Sequence, residues 1–329
     1  MKPAPITLFT YNRPWHTRMT MEALLNNGLS SESELIIFSD GPKTSQDQQK
    51  IDEVRQYVRT VKGFRNITIV EHHQNLGLGQ SIINGVSAVL KEHERIIILE
   101  DDLVTAPFFL RYMNDALELY GREEEVISVH GYIYPVAEKL PATFFLRGAD
   151  CWGWGTWKRG WALFEENGQI LLDDLKKRHL TRQFDFNGAY RYTRMLKDQI
   201  TGRNTSWAVR WYASAFLNNR LTLYPGISLV EHIGNDGTGT NFATGDFLDV
   251  KLASKPIDIG CIEIKENPVV KKIIEDYLRS IKTPLWRGAL NQTKRVLNST
   301  LKNMKLKKAP VFGQNIIKNK PAPDELKNT

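Results

Sequence analysis

The sequence predicts an α/β fold, in which a mixed, mainly parallel sheet is flanked by helices and followed by a helical, basic C-terminal tail. Three observations predict it. Over the first 130 residues, short apolar runs alternate with longer amphipathic stretches, the pattern of βαβ units. Each of the four clearest apolar runs ends abruptly in a distinctive polar group. Positive charge is segregated: residues 277–323 hold eleven Lys or Arg and no acid, which leaves residues 1–276 at −3 within a chain total of +7.

Taken in order, strands are expected at 6–10, 35–39, 67–71 and 95–99, with helices at 14–27, 44–61 and 77–92 between them. Pro14 and Thr44 are helix start signals, because proline is pre-set for a first helical turn and threonine accepts from free N–H groups. A fifth strand is expected at 126–130. An aromatic stretch then follows, Trp152-Gly153-Trp154-Gly155-Thr156-Trp157 with Trp161 after it. Helices are expected around 190–199 and 207–219, strands at 221–224 and 229–233, and a Gly, Asn and Thr loop over 234–244. This divides the chain into a catalytic-sized domain at 1–245, with halves at about 1–130 and 131–245, and an extension at 246–329.

Composition narrows the function classes. With 41% apolar and 10% aromatic residues in 329, the chain can bury a sizeable core. Cys151 and Cys261 stand alone, without CxxC or His at metal-ligand spacing, so no disulfide framework or zinc site is signalled. That usage fits a reducing cytoplasm. Nowhere do 18 apolar residues run together and no export-like segment opens the chain, so a soluble or peripheral protein is expected.

The sharpest chemical signal is Ile96-Ile97-Ile98-Leu99-Glu100-Asp101-Asp102, a buried-strand run that breaks into three acids. Ionised carboxylates are costly at the end of a central strand unless a positive partner sits there. A hard divalent cation that prefers oxygen ligands, Mg²⁺ or Mn²⁺, is one such partner. Capping of a helix starting near Pro107 is the other reading. Ser39-Asp40-Gly41-Pro42 reads as a ligand-facing acid or as a plain turn. Asn75 to Gly79 reads as a helix cap, or as glycines that let a ligand approach the backbone. In open α/β sheets ligands bind beyond the carboxyl ends of the strands, where all these groups fall.

Over roughly residues 5–240 the ordered set resembles the GT-A glycosyltransferases, in particular bacterial family 2 enzymes and the N-acetylglucosaminyltransferase I group. The set is Thr10-Tyr11-Asn12-Arg13-Pro14, Ser39-Asp40-Gly41, Asn75-Leu76-Gly77-Leu78-Gly79 and Glu100-Asp101-Asp102. The resemblance implies a Rossmann-like nucleotide-diphospho-sugar transferase fold. It makes Asp102 the metal ligand and Asp40 the acid that reads the nucleotide base. Thr10, Tyr11, Asn12, Arg13, Asn75, Gly77, Gln80, Glu100 and Asp101 then line the donor site. His232, in a loop that closes over the donor, would complete the metal shell. The implied activity is inverting, Mn²⁺- or Mg²⁺-dependent transfer of a hexosyl or N-acetylhexosaminyl group, with a uridine diphosphate sugar as the expected donor. The expected acceptor is a glycan or lipid-linked oligosaccharide of lipopolysaccharide or capsule synthesis.

The chain departs from that pattern at the general base. The N-acetylglucosaminyltransferase I group carries an acid between two tryptophans, whereas Trp207-Ala208-Val209-Arg210-Trp211 has none. Asp150, Asp198, Glu231 and Asp236 stay open as candidates, with His232 a weaker one. Asp150 could also orient sugar hydroxyls beside the tryptophans, which read equally as a sugar platform or as core packing.

At 284–308, Trp286, Leu290, Leu297, Leu301 and Met304 recur at helical spacing among Lys and Arg, which predicts a basic amphipathic helix on an anionic membrane surface. The expected location is therefore cytoplasmic, at the inner face of the membrane. A nucleic-acid partner is not expected, since no nucleic-acid fold accompanies the tail. Two alternatives remain: a nucleotidyltransferase, which would carry a glycine-rich basic loop near the N-terminus, and a non-catalytic carbohydrate-binding or scaffold protein.

Overall fold

A run such as Ile6-Thr-Leu-Phe-Thr10 is apolar on both faces, and it can be buried only in a sheet covered on both sides. The computed structural model, which describes residues 2–236 and 249–281, places it there. β1 (Ile6–Thr10) lies between β2 (Glu34–Ser39) and β4 (Arg95–Glu100), and β3 (Asn66–Glu71) closes that edge, all four being parallel. Helices α1 (Pro14–Leu25), α2 (Gln48–Thr60) and α3 (Leu78–Glu92) make the crossovers. Gly77, at φ +77°, caps α3 with a left-handed backbone that favours glycine.

The chain continues through β5 (Leu103–Thr105), α4 (Phe109–Leu119), β6 (Val126–His130), β7 (Thr143–Arg147) and β8 (Trp154–Trp157). Helices α5 (Lys158–Trp161), α6 (Gly168–Lys177), α7 (Thr181–Phe184), α8 (Tyr192–Ile200) and α9 (Ala208–Leu217) follow. β9 (Leu221–Pro225), β10 (Val230–His232) and α10 (Pro268–Ser280) complete the described elements. The eight-stranded sheet has the order β3-β2-β1-β4-β8-β6-β9-β7, and β8, β7 run antiparallel to their neighbours. The expected mixed, mainly parallel sheet is thus what the chain forms.

Several elements were not anticipated, among them β5, β7 and α6, and two of the unanticipated ones shape the core. β8 arises from the glycine and tryptophan stretch, and it sits in the middle of the sheet between β4 and β6. Trp154, Trp161, Trp207 and Trp211 pack together with ring centroids 5.2–5.9 Å apart, so these tryptophans form core. Trp152 alone of that stretch stands half-buried at a cavity wall. The second, α10, buries Val270, Ile274 and Leu278 against Phe184, Tyr212 and Phe216. Compact packing therefore runs on through residue 281. The expected helix at 284–308 and most of the loop at 234–244 lie outside the described residues. No helix among the described residues is long and apolar enough to cross a membrane.

Candidate active site

The carboxyl ends of β1, β2 and β4 open on one side of the sheet, and the segments leaving them converge. Arg13, in the loop between β1 and α1, donates from Nη2 to Asp101 Oδ1 at 2.6 Å and to Asp102 Oδ2 at 2.7 Å. The Tyr11 N–H donates to Asp101 Oδ2 at 3.3 Å, and Thr20 Oγ1 holds the Asp101 carbonyl at 2.8 Å. Three successive acids are tolerated here because one guanidinium bridges two of them. Burial alone would lower the Arg13 pKa, but Asp101 and Asp102 raise it, so its charge is fixed.

The acids themselves diverge. Burial would raise Asp102, yet hydrogen bonding and charge from His232, and then Arg13, hold its carboxyl well below the usual range. Burial pushes Asp101 up despite Arg13. Glu100, against burial first and the charges of Asp102 and Asp101 second, is pushed up to about 8.

His232 arrives through tertiary pairing. β10 pairs antiparallel with β5 in the register His232↔Leu103, and the Ile233 N–H donates to the Asp102 carbonyl at 2.9 Å. That register places His232 Nε2 3.2 Å from Asp102 Oδ2, while its Nδ1 lies 3.1 Å from Asn235 Oδ1. With Nδ1–H donating to Asn235, two lone pairs face each other. A proton or a cation between them satisfies both. Adjacent ligands of an ion bound at ~2.1 Å stand about 3 Å apart, so the pair fits Mn²⁺ or Mg²⁺. No cage of three or more His, Cys, Asp or Glu exists among the described residues. Phosphate oxygens and water would supply the remaining ligands, as is usual for Mg²⁺.

Asp40 has a different geometry. Its Oδ1 accepts from the N–H groups of Gly41 and Leu76 at 2.9 Å, and its Oδ2 accepts from Asn75 Nδ2 and the Gly77 N–H at 3.0 Å. Those four bonds use the acceptor capacity of a carboxylate. The acid whose expected role is to read the base here holds loop 75–77 against β2.

Thr10, Tyr11, Asn12, Arg13, Asp40, Asn75, Gly77, Gln80, Glu100, Asp101, Asp102 and His232 all line one cleft of about 630 Å³. Asp150 lines a neighbouring cavity of about 370 Å³, which shares Leu78, Glu100, Trp152 and Asn204 with the cleft. Asp198, Glu231 and Asp236 line neither. Asp198, on α8, is paired with Arg194 at 2.9 Å and with Arg203 at 2.6 Å, and Asp236 with His16 at 3.2 Å. Glu231 sits on β10, pointing away from its neighbour His232 as strand alternation requires.

Among the cleft residues that carried no functional signal in the sequence, two stand out. Arg210 reaches the cleft from α9, donating from Nη1 to the Glu166 carbonyl at 2.9 Å, while its buried Nε meets no partner among the described residues. Gly234 packs so closely that a Cβ there would stand 2.5 Å from Asp102 Oδ2 and 3.0 Å from His232 Nε2. An arginine between two tryptophans and a glycine in a glycine-rich loop both have plain structural readings, and only three-dimensional placement distinguishes them.

A mixed sheet with acids, an arginine and a glycine-led helix at its carboxyl edge defines the class, a GT-A nucleotide-sugar transferase fold. Residues 6–192, more than half of the chain, match the family model described as Glycosyl transferase family 2, and the chain belongs to that family. No curated protein matches it. Among solved structures it is similar to a mannosyltransferase from Pyrobaculum calidifontis in complex with GDP-Man and Mn²⁺, at 15% identity and a TM-score of 0.31, over 41% of this chain and 36% of that one. S. aureus TarS, residues 1–349, is similar at 15% identity and a TM-score of 0.31, over 50% of this chain and 49% of that one. A UDP-glucose pyrophosphorylase complexed with UDP-glucose is similar at 10% identity and a TM-score of 0.34, over 68% of this chain and 90% of that one. The chain thus spans about a third to a half of the first two structures.

Proposed function

We propose that this family 2 glycosyltransferase is an inverting, metal-dependent enzyme that moves a hexosyl or N-acetylhexosaminyl group from a uridine diphosphate sugar to a carbohydrate acceptor. The observation that carries the reading is the convergence of Arg13, Asp101, Asp102 and His232 on a single nucleotide-sized cleft.

Asp102 and His232 would hold Mn²⁺ or Mg²⁺, which when bound offsets the charge that builds on a departing diphosphate. Around it, Arg13 orients Asp101 and Asp102 through its two ion pairs. The loops after β1 and before α3, clamped by Asp40, wall the nucleoside end of the cleft. Arg210 adds a second cation to the cleft, beside Gly79 at the start of α3, where a diphosphate would need one. The missing basic, glycine-rich loop after β1 disfavours nucleotidyl transfer, and the facing pair of Asp102 and His232 disfavours a scaffold without chemistry.

The acceptor in this reading is a lipid-linked oligosaccharide of lipopolysaccharide or capsule synthesis. The eleven cations of residues 277–323 support attachment to anionic lipid at the inner face of the membrane, which is where such acceptors are assembled.

Thermal stabilisation by a panel of UDP-, GDP- and dTDP-sugars, with Mn²⁺ or Mg²⁺ and with chelator, tests the reading. A ligand at a hundred times its Kd adds about 2.7 kcal/mol. Stabilisation by one donor class only with metal present is expected. Stabilisation by none, or equal stabilisation in chelator, overturns metal-dependent donor binding.

A further inference from the structure

The place where the resemblance to the N-acetylglucosaminyltransferase I group implies a base, Trp207-Ala208-Val209-Arg210-Trp211 at the head of α9, holds no acid, so the proton of an attacking hydroxyl has no carboxylate acceptor there. Among the candidate carboxylates, ion pairs and placement remove three. Asp198 lies between two arginines, Asp236 against His16, and Glu231 outside both cavities. Asp150 differs from them in every respect. Its Oδ1 accepts the Cys151 N–H at 2.9 Å, and among the described residues Oδ2 meets no donor.

The segment carrying Asp150 is pinned on both sides. Before it, the Gly148 N–H donates to the Arg220 carbonyl at 2.9 Å, and Thr222 Oγ1 donates to the Gly148 carbonyl at 2.7 Å. After it, the Trp152 N–H donates to His130 Nε2 at 3.0 Å. Gly148 is at φ +103° with the Tyr212 ring against it, a place closed to any side chain. Such fixing is what a proton acceptor needs, since a displaced base loses its reach.

Six tyrosines, Tyr132, Tyr134, Tyr190, Tyr192, Tyr212 and Tyr224, line the cavity that Asp150 faces, among apolar side chains. In Tyr190, Tyr192 and Tyr224, burial and after it the Asp150 charge push the phenol pKa up, so all three stay hydroxyl donors. Trp152 separates this cavity from the acidic cluster. Its ring stacks on His232 with centroids 4.5 Å apart and planes 2° from parallel, and it lines both spaces. Flat rings with hydroxyls at their edges suit a pyranose, whose C–H face is apolar and whose rim is polar. The volume of about 370 Å³ lies within the range of small-ligand sites, roughly 300–1,000 Å³.

We infer that the phenol-walled cavity binds the acceptor as a saccharide ring and that Asp150 is the catalytic base, an inference resting on the glycosyltransferase reading above. Asp150 Oδ2 takes the proton from the acceptor hydroxyl as that oxygen bonds to the anomeric carbon. The bond from the anomeric carbon to phosphate oxygen breaks, and its electron pair leaves with the nucleoside diphosphate.

The test compares the full chain with Asp150→Asn, in which Oδ1 can still accept the Cys151 N–H. Two readouts are taken: thermal stabilisation by UDP with Mn²⁺, and metal-dependent release of UDP from UDP-glucose, UDP-galactose and UDP-N-acetylglucosamine. Release is measured with water alone, and then with p-nitrophenyl glycosides of glucose, galactose, N-acetylglucosamine and mannose. For Asp150→Asn, stabilisation matching that of the unsubstituted chain is expected, with release and transfer lower by about 10²–10⁴-fold, the usual contribution of a general base. Tyr192→Phe is expected to raise the glycoside KM several-fold at unchanged UDP binding. Undiminished release by Asp150→Asn, or the loss appearing in Glu100→Gln instead, overturns the base. Transfer to none of the glycosides overturns the saccharide occupant. Absence of UDP–Mn²⁺ stabilisation in the unsubstituted chain marks failure of the underlying reading rather than of Asp150.

Discussion

The two halves of the sheet handle polar side chains in opposite ways. In β3-β2-β1-β4 every strand runs the same way, so each carboxyl end delivers its polar residues to one edge, and Arg13, Asp40, Asp101 and Asp102 meet there. In β8-β6-β9-β7 directions are mixed, no single edge collects strand ends, and the neighbouring cavity is lined by tyrosines around Asp150. The parallel half organises charge, and the mixed half organises apolar surface with hydroxyl rims. One edge therefore suits a phosphorylated partner, and the adjoining cavity a neutral one. Trp152 and Glu100 are the wall they share.

Substitutions on either side should separate these roles. The largest effect is expected from Asp102→Asn on the charged side, which removes a carboxylate facing His232 at 3.2 Å and leaves Arg13 on Asp101. Transfer should fall by roughly 10³-fold, and the gain in UDP binding on adding Mn²⁺ should be lost. Turnover within tenfold of the unsubstituted enzyme, measured at saturating Mn²⁺, would remove Asp102 from the metal site. On the other side, Trp154→Ala deletes a ring that is 1% exposed within the tryptophan core. A stability loss of about 3–5 kcal/mol in urea unfolding is expected, with UDP affinity of the folded protein unchanged. A large affinity change without destabilisation would make that ring a ligand contact.

Asp40→Asn sharpens the charged side further. An amide nitrogen placed at Oδ2 would face two donors, Asn75 Nδ2 and the Gly77 N–H. Leaving them unsatisfied costs about 1–3 kcal/mol, to be read by unfolding of the protein without nucleotide. Undiminished stability with altered base preference would instead return Asp40 to base reading. The smallest effect is expected from Gly234→Ala, whose Cβ would press on Asp102 Oδ2 and His232 Nε2. A rise of about tenfold in the Mn²⁺ needed for half-maximal UDP binding corresponds to ~1.4 kcal/mol. An unchanged Mn²⁺ titration would place the ion away from Asp102 and His232.

How much was legible varies with the kind of signal. β1, β2, β3 and β4 are apolar runs closed by polar groups, and the structure forms them within a residue or so of the expected bounds. β7 carries only Phe144-Phe145-Leu146 at its centre, between Pro141 and Gly148, a run too short for periodicity to tell strand from helix. β8 was hidden because its glycine reads as a breaker. Gly155 is there for closeness: a Cβ would come 2.9 Å from Met113 Cε and 3.0 Å from the Ile96 carbonyl.

The parallel half and the acids at its edge were readable in the chain, because strand periodicity and the abrupt change from apolar to charged are local properties of consecutive residues. Which side chains became partners was settled by folding. Arg13 meets Asp101 across 88 positions, and His232 reaches Asp102 solely because β10 pairs with β5 in one register. Asp40 gave its lone pairs to a loop 35–37 residues away, and Asp150 came to face phenols contributed by segments as distant as Tyr224. Such choices depend on strand direction, register and close packing, which are set jointly by the whole sheet and are written in no single stretch of the chain.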